Sequence, residues 1–310
     1  MWHKRTAELK AGCRYKRCTT VFLWLLCAHS PHLLLPTKSI MSSSIILITG
    51  GNTGIGYETV KALYTSSQPY TILMGSRSLE KADTAITQLK SEVPESKNEV
   101  VAVQIDIEDD ESIEKAFKEV QEKWGRLEGL VNNAGAAFDA IMLKDPSPKG
   151  MRAAWDKAYS LNVTSTQVMT HTFAPLLIAS SNPRLLFLTS GLASLETCAK
   201  GMDSKLASGP PPKGWPKPQS MASTAYRSSK TALNMMMLYW KKTLEVDGVK
   251  TFSISPGFLA TGLGGVGPDV LRKVGAGDPG LGGALIRDVL EGKRDGDAGV
   301  VVSQNGVQPW

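Results

Sequence analysis

The chain has 310 residues, 42% of them hydrophobic, which is ordinary for a globular protein with one sizeable core, and its formal net charge is +6. That charge sits in residues 1–40, where seven Lys/Arg face Glu8 alone; of 35 basic and 29 acidic side chains, 28 of each remain for residues 41–310. A balanced body has no bulk electrostatic pull toward nucleic acid, and with only Cys198 and His171 beyond residue 40 it is short of ligands for a zinc site, a disulfide framework or a Cys/His nucleophile pair.

Residues 1–40 join a basic segment to an apolar run, Val21 to Ala28, which is too short to span a bilayer. The regular pattern begins after Met41, so this extension is expected to be dispensable; a signal-peptide core or a membrane-surface anchor are the alternatives.

The first strand-like run, "IILIT" (45–49), leads into "TGGNTGIG", Thr49 to Gly56, and then a helical pattern. Gly50, Gly54 and Gly56 permit a tight turn and let the backbone approach a pyrophosphate at a helix N-terminus, where free N–H groups and the dipole favour an anion. Such loops are common; position directly after the first strand gives this one its weight. The second run, "YTILMG" (70–75), is followed by Ser76 and Arg77. An NAD site would place an acid there for the ribose 2′-hydroxyl, whereas a cation suits a 2′-phosphate, so NADP(H) is expected. The simpler alternative is an Arg77 that merely starts the next helix.

"VVAVQI" (100–105) precedes Asp106 and a helix candidate in which Ile113, Phe117, Val120 and Trp124 repeat behind an Asp cap and before Gly125. "GLVNNAG" (129–135) is the fourth strand-like run, and His171 in "VMTHTFAPLL" reads as a packed helix residue. "RLLFLTS" (184–190) ends in Ser190 and opens on a Pro/Gly/Ser/Lys-rich stretch, about 195–222, that reads as a long loop: a solvated insertion, a wall of a pocket or a blocker of subunit contacts. Tyr226 and Lys230 in "AYRSSKTAL" share a helical face. A phenol with a pKa near ~10 works poorly at neutral pH, and the ammonium is expected to lower it. The three methionines of "NMMMLYW" (234–240) read as core and interface packing. "KTFSIS" (250–255) and "GVVVS" (299–303) complete the set. Seven runs, apolar on both faces and alternating with helices, predict a doubly wound α/β fold with a seven-stranded parallel sheet and its ligand at the carboxyl ends of the strands.

The spacing G-x-x-x-G-x-G from Gly50, "NNAG" at 132–135 and Tyr226-x-x-x-Lys230 together resemble the short-chain dehydrogenase/reductase family across residues 45–303. The resemblance implies one Rossmann-type catalytic domain over 41–310 and an NADP(H)-dependent, carbonyl-reductase-like enzyme interconverting a carbonyl and a secondary alcohol. It makes Tyr226 the proton donor or base, and Lys230 the residue that tunes it and holds the nicotinamide ribose. Ser190 would hydrogen-bond the substrate oxygen, and Asn162 would support a water-linked proton relay; a strand-end cap and a helix hydrogen-bonder are their simpler alternatives. It assigns Gly50, Asn52, Gly54, Ile55, Gly56, Arg77, Asp106, Ile107, Asn133, Ala134, Gly135, Leu259 and Thr261 to the cofactor as well. Asp106 would meet the adenine amino group, and Leu259 and Thr261 the nicotinamide carboxamide.

Ser190 and Tyr226 lie 36 residues apart, further than in compact members of the family. An insertion there would be able to obstruct the family's usual helix-bundle dimer interface, so monomer and homo-oligomer both stay open. The glycine-rich segment after Thr261 stands where relatives carry a mobile substrate lid, and the C-terminal half is similar to fungal reductases of specialised metabolism. Two other readings are a nonenzymatic NADP-binding sensor, which would not need Tyr226, and an epimerase or dehydratase, which would show a differently spaced glycine loop. "NVT" at Asn162 is a formal glycosylation sequon on a proposed site residue, which favours a cytoplasmic body, with membrane association through residues 1–40 as the alternative.

Overall fold

The computed structural model describes residues 43–201, 212–215, 217 and 223–310. The expectations for residues 1–40, and for most of 202–222, lie outside the described residues. Parallel strands form where the apolar runs predict them: β1 (Ser44–Ile48), β2 (Tyr70–Ser76), β3 (Glu99–Gln104), β4 (Gly129–Asn132), β5 (Arg184–Leu188), β6 (Lys250–Ser255) and β7 (Val301–Ser303).

The expected count of seven is corrected to eight, because β8 (Gly306–Gln308) folds back antiparallel on β7 with Ser303 opposite Gly306. Asn305-Gly306 is a hairpin signal, and Gly306 takes φ +112°, which disfavours an L side chain. Three residues are too few for a period-two pattern to register.

The spatial order is β3-β2-β1-β4-β5-β6-β7-β8. From β1 the chain moves outward to β2 and β3, then returns to β4 on the other side of β1. The loops leaving β1 and β4 therefore diverge and open a crevice at their carboxyl ends.

Strand alternation feeds two cores. Ile45 and Leu47 join Phe173, Leu177, Leu233 and Met237 on one face, whereas Ile46 and Ile48 join Val60, Leu63, Leu89 and Val289 on the other. Helices α3 (Asp110–Lys123), α6 (Thr166–Ile178) and α8 (Thr224–Leu244) thus cover the first face; α1 (Gly54–Tyr64), α2 (Leu79–Glu92) and α10 (Gly280–Leu290) cover the second. Each large apolar side chain buried this way contributes about 1.5–3 kcal/mol relative to exposure. The start of α3 follows its predicted cap: Asp109 accepts from Glu111 N and Ser112 N, and Ile113, Ala116 and Val120 are buried behind it.

The remaining helices are α4 (Ala140–Lys144), α5 (Pro148–Tyr159), α7 (Leu195–Ala199) and α9 (Pro268–Lys273), with a π-helical turn (Ser160–Ser165) joining α5 to α6 and a 3-10 turn at Gly191–Ala193. Two expectations change here. The stretch expected to begin a loop at 195 opens as α7, capped by the Ser194 hydroxyl accepting from Thr197 N. His171 lies on α6 but is exposed, since the buried face runs through Met169, Thr170, Phe173 and Leu177. Of the three methionines, Met237 is in the core and Met235 faces solvent. Among the described residues no helix is long and apolar enough to cross a membrane.

Candidate active site

The glycine loop turns between β1 and α1 with Gly50 and Gly54 at φ +62° and +56°. At Gly56 a Cβ would stand 2.2 Å from Gly50 O and 2.6 Å from Asn133 Nδ2, so the turn closes only around a bare α-carbon. The loop after β4 is tied to it. Thr49 Oγ1 accepts from Asn133 N and Ala134 N, both at 3.0 Å, while Asn133 Nδ2 donates to Thr49 O at 2.8 Å and Gly50 O at 3.2 Å. Thr261 comes in from the segment after β6, its Cβ 3.8 Å from where a Gly54 Cβ would be. Asn52 and Ile55 are half-buried in the same turn, Ile55 against the α1 core.

Four assigned residues stand apart from this knot. Arg77 is exposed directly after β2, where its carbonyl accepts from Gln104 Nε2 at 3.4 Å. Asp106 follows β3 and spends Oδ1 on Glu108 N at 3.1 Å, which leaves Oδ2 for a ligand. The side chain of Ile107 is buried in the core with Ile113 and Ala116, so only its backbone is available. Leu259 is likewise buried, packing its side chain toward Gly282, where a Cβ would lie 2.9 Å from Leu259 Cδ1.

Ser190, Tyr226, Lys230, Asn162 and Gly135 meet at the carboxyl ends of β4 and β5. Lys230 is buried, and its Nζ donates to Leu188 O at 2.8 Å and sits 5.8 Å from the centroid of the Tyr226 ring. Asn162, carried inward by the π-helical turn, accepts from Ala136 N at 3.0 Å and donates to Ala136 O and Ser229 Oγ, both at 2.9 Å. Ser229 Oγ in turn donates to Tyr226 O at 2.7 Å. Gly135 spans the group: a Cβ there would lie 2.8 Å from Asn162 Oδ1 and 3.1 Å from Lys230 Nζ. Ser190 Oγ accepts from Leu192 N at 3.2 Å and shares a hydrogen bond with the Tyr226 phenol.

The protonation pattern corrects one expectation. The Tyr226 phenol is pushed up to about 12, first by burial and further by the Asp139 carboxylate, with a hydrogen bond from Ser190 pulling the other way. Burial also takes the Lys230 ammonium down to about 8. Desolvation of both groups outweighs the lysine–phenol attraction that the spacing suggests.

Dinucleotide chemistry fits the residues present. Gly135 is exposed and brings bare backbone against Asn162 and Lys230, and the glycine loop offers backbone N–H groups at the start of α1. Thr49, Ser229 and Asp139 belong to the site but escape a reading of sequence, because each acts on a partner from 67 to 87 residues away.

Comparison with known proteins places these features in company. A family model described as short chain dehydrogenase matches residues 44–201. The short-chain dehydrogenase/reductase tropE of Talaromyces stipitatus is 44% identical over 274 residues, which is 87% of this chain and 99% of that protein. The short-chain dehydrogenase/reductase eupG of Phoma sp is 45% identical over 275 residues, covering 86% and 97%. The solved NADPH-bound carbonyl reductase from chicken fatty liver shares the fold, with a TM-score of 0.65 at 22% identity over 86% of this chain and 98% of that one.

Proposed function

The chain belongs to the short-chain dehydrogenase/reductase family, and from that premise we propose that it uses NADP(H) to interconvert a carbonyl and a secondary alcohol, with Tyr226 as proton donor and base. Membership makes it an oxidoreductase with a nicotinamide cofactor and a small-molecule substrate. The observation that carries the finer reading is the meeting of Ser190, Tyr226 and Lys230 beside Gly135.

When bound, the cofactor supplies the hydride in the reducing direction and takes it up in the reverse. Ser190 Oγ–H orients the carbonyl oxygen, and Tyr226 delivers a proton to it. Burial holds the phenol in its protonated, donating form, and the Lys230 ammonium together with an oxidised nicotinamide would lower its pKa toward the working range. Lys230 spends one of three N–H donors on Leu188 O, leaving two for the ribose hydroxyls and for recharging the phenol. Asn162 fixes Ala136 and Ser229, and its second Oδ1 lone pair is where a relay water would bond. Gly50, Asn52, Gly54, Ile55 and Gly56 would cradle the pyrophosphate, Asn133, Ala134 and Gly135 would back the central part, and Asp106 with the Ile107 backbone would meet the adenine. Leu259 and Thr261 would hold the carboxamide, and Arg77 would pair with the 2′-phosphate. A cytoplasmic location belongs to the same proposal; so does a place in specialised metabolism, supported by the likeness to the Talaromyces and Phoma proteins.

The test is a fluorescence titration of the purified chain with NADPH and with NADH. NADPH should bind preferentially, and Arg77→Ala should weaken it about tenfold or more, the worth of one charge-assisted hydrogen bond, with NADH little affected. With the ketone 4-nitroacetophenone as probe, Tyr226→Phe should lose roughly 100-fold or more in turnover while still binding NADPH. A folded chain that binds neither nucleotide would overturn the reading.

A further inference from the structure

The N-terminus of α8, which carries Tyr226, is held in an unusual way. Its N-cap residue Ser223 adopts φ 48°, ψ 40° and makes no side-chain capping bond to the helix. The first-turn N–H groups that a cap ordinarily satisfies are instead taken by a carboxylate from elsewhere: Asp139 Oδ1 accepts from Ala225 N at 2.9 Å and Oδ2 from Tyr226 N at 3.1 Å.

Asp139 is placed to cap its own helix and does not. It stands at the N-cap of α4 in helical conformation, φ −60° and ψ −25°, with no capping bond there. Both oxygens face α8, whose positive end favours an anion. One side chain thus joins the segment after β4, which carries Gly135 and Ala136, to the residue whose phenol faces Ser190.

We propose that Asp139 is a positioning residue of the reaction: by capping α8 in place of a local side chain it fixes the Tyr226 phenol relative to Ser190. The proposal rests on the reading of Tyr226 as proton donor. The groups facing the phenol, among the described residues, are Asp139 from the start of α4, the Ser190 hydroxyl after β5 and Lys230 one turn along α8. Asp139 is the negative one. Its charge pushes the phenol in the same direction as burial does.

The test uses the full chain with Asp139→Asn, which keeps one acceptor oxygen and loses the charge, Asp139→Ala, and Tyr226→Phe. Alkaline difference absorbance, with the Tyr226→Phe spectrum subtracted, isolates the ionisation of Tyr226 without any need for turnover. In Asp139→Asn its midpoint should move to lower pH. With NADPH and 4-nitroacetophenone, kcat should fall about 10- to 100-fold in Asp139→Ala, as expected for a misplaced reacting group, and recover in part in Asp139→Asn, while NADPH affinity stays within about twofold. If the two variants lose melting temperature, NADPH affinity and kcat together and the Tyr226 titration stays where it is, Asp139 is only structural and the assignment fails. If Asp139→Asn changes nothing while Tyr226→Phe is inactive, Asp139 alone is misassigned. Full turnover in Tyr226→Phe would remove the proton-donor reading itself, and Asp139's place in the reaction with it.

Discussion

Lys230 is buried with one backbone carbonyl, Leu188 O, as its hydrogen-bond acceptor, and burial brings its pKa from 10.5 to about 8. The unfolded chain therefore holds more protons than the folded one between these values, so stability rises with pH across that window and the deficit is complete below it. At about 1.4 kcal/mol per pKa unit the deficit is on the order of 3 kcal/mol. Tyr226, raised from 10.0 to about 12, contributes stability that is present below pH 10 and lost as pH climbs toward 12. In the absence of nucleotide, the melting temperature of the wild type should rise by several degrees between pH 7.5 and about 10 relative to Lys230→Met. Parallel melting curves for the two proteins across that range would show that the lysine carries no such burden. Gly135 makes a second demand at this scale, since its missing Cβ is what leaves room for Asn162 Oδ1 and Lys230 Nζ. Gly135→Ala should cost about 1–3 kcal/mol in a urea melt by overpacking and weaken NADPH binding in the same titration. The Tyr226/Lys230 pair is legible from its four-residue spacing, and the glycines from their place after β1. The direction of the phenol's shift is not, because it depends on burial and on Asp139, 87 residues away.

Strands and helices separate by how much of their cause is local. The seven parallel strands and α3 announce themselves through apolar runs and an Asp cap, whereas β8 rests on one Asn-Gly turn and the π-helical turn at Ser160–Ser165 on bonds that carry Asn162 to Ala136, 26 residues away. Ser190 is legible as a strand-end residue, but the turn that follows it is held from the far edge of the sheet, with Gln308 Nε2 donating to Ser190 O at 3.3 Å. The same non-locality governs the base of the sheet. Arg184, at the start of β5, has a side chain 6% exposed and donates three hydrogen bonds to the two Asp295 oxygens at 2.8–3.1 Å, and Lys250, at the start of β6, adds a fourth at 2.8 Å. Burial pushes the Asp295 carboxyl up, yet hydrogen bonds from Lys250 and Arg184 carry it below the usual carboxylate range. Its contribution is therefore lost as pH falls through that lowered value. Asp295→Ala leaves a buried guanidinium unpaired and should destabilise the chain by about 3 kcal/mol, the lower end for a broken buried pair because Asp295 is partly exposed. A urea midpoint unchanged at neutral pH would mean that water replaces the carboxylate without cost.

At the scale of the whole molecule, charge and structure divide at the same place. Among the described residues every strand, both cores and each candidate site residue lie between Ser44 and Gln308, while the net charge of +6 belongs to residues 1–40. A segment adds to the stability of a domain only through what it binds in the folded state and not in the unfolded one. Residues 1–40 are therefore proposed to be dispensable for folding and for nucleotide binding, and to matter instead for association with anionic surfaces through their seven cations. The prediction compares the full chain with residues 41–310 on three measurements. The shorter chain should melt within about 2 °C of the full one, a difference worth under about 1 kcal/mol at this size. Its NADPH titration should be unchanged, since the glycine loop, Gly135 and Arg77 are all retained. Its retention on a cation exchanger, and its binding to vesicles containing phosphatidylserine, should fall sharply because 28 cations then face 28 anions. A loss of several degrees on removing residues 1–40 would mean that this segment packs on the domain, and the division of labour by charge would then be wrong.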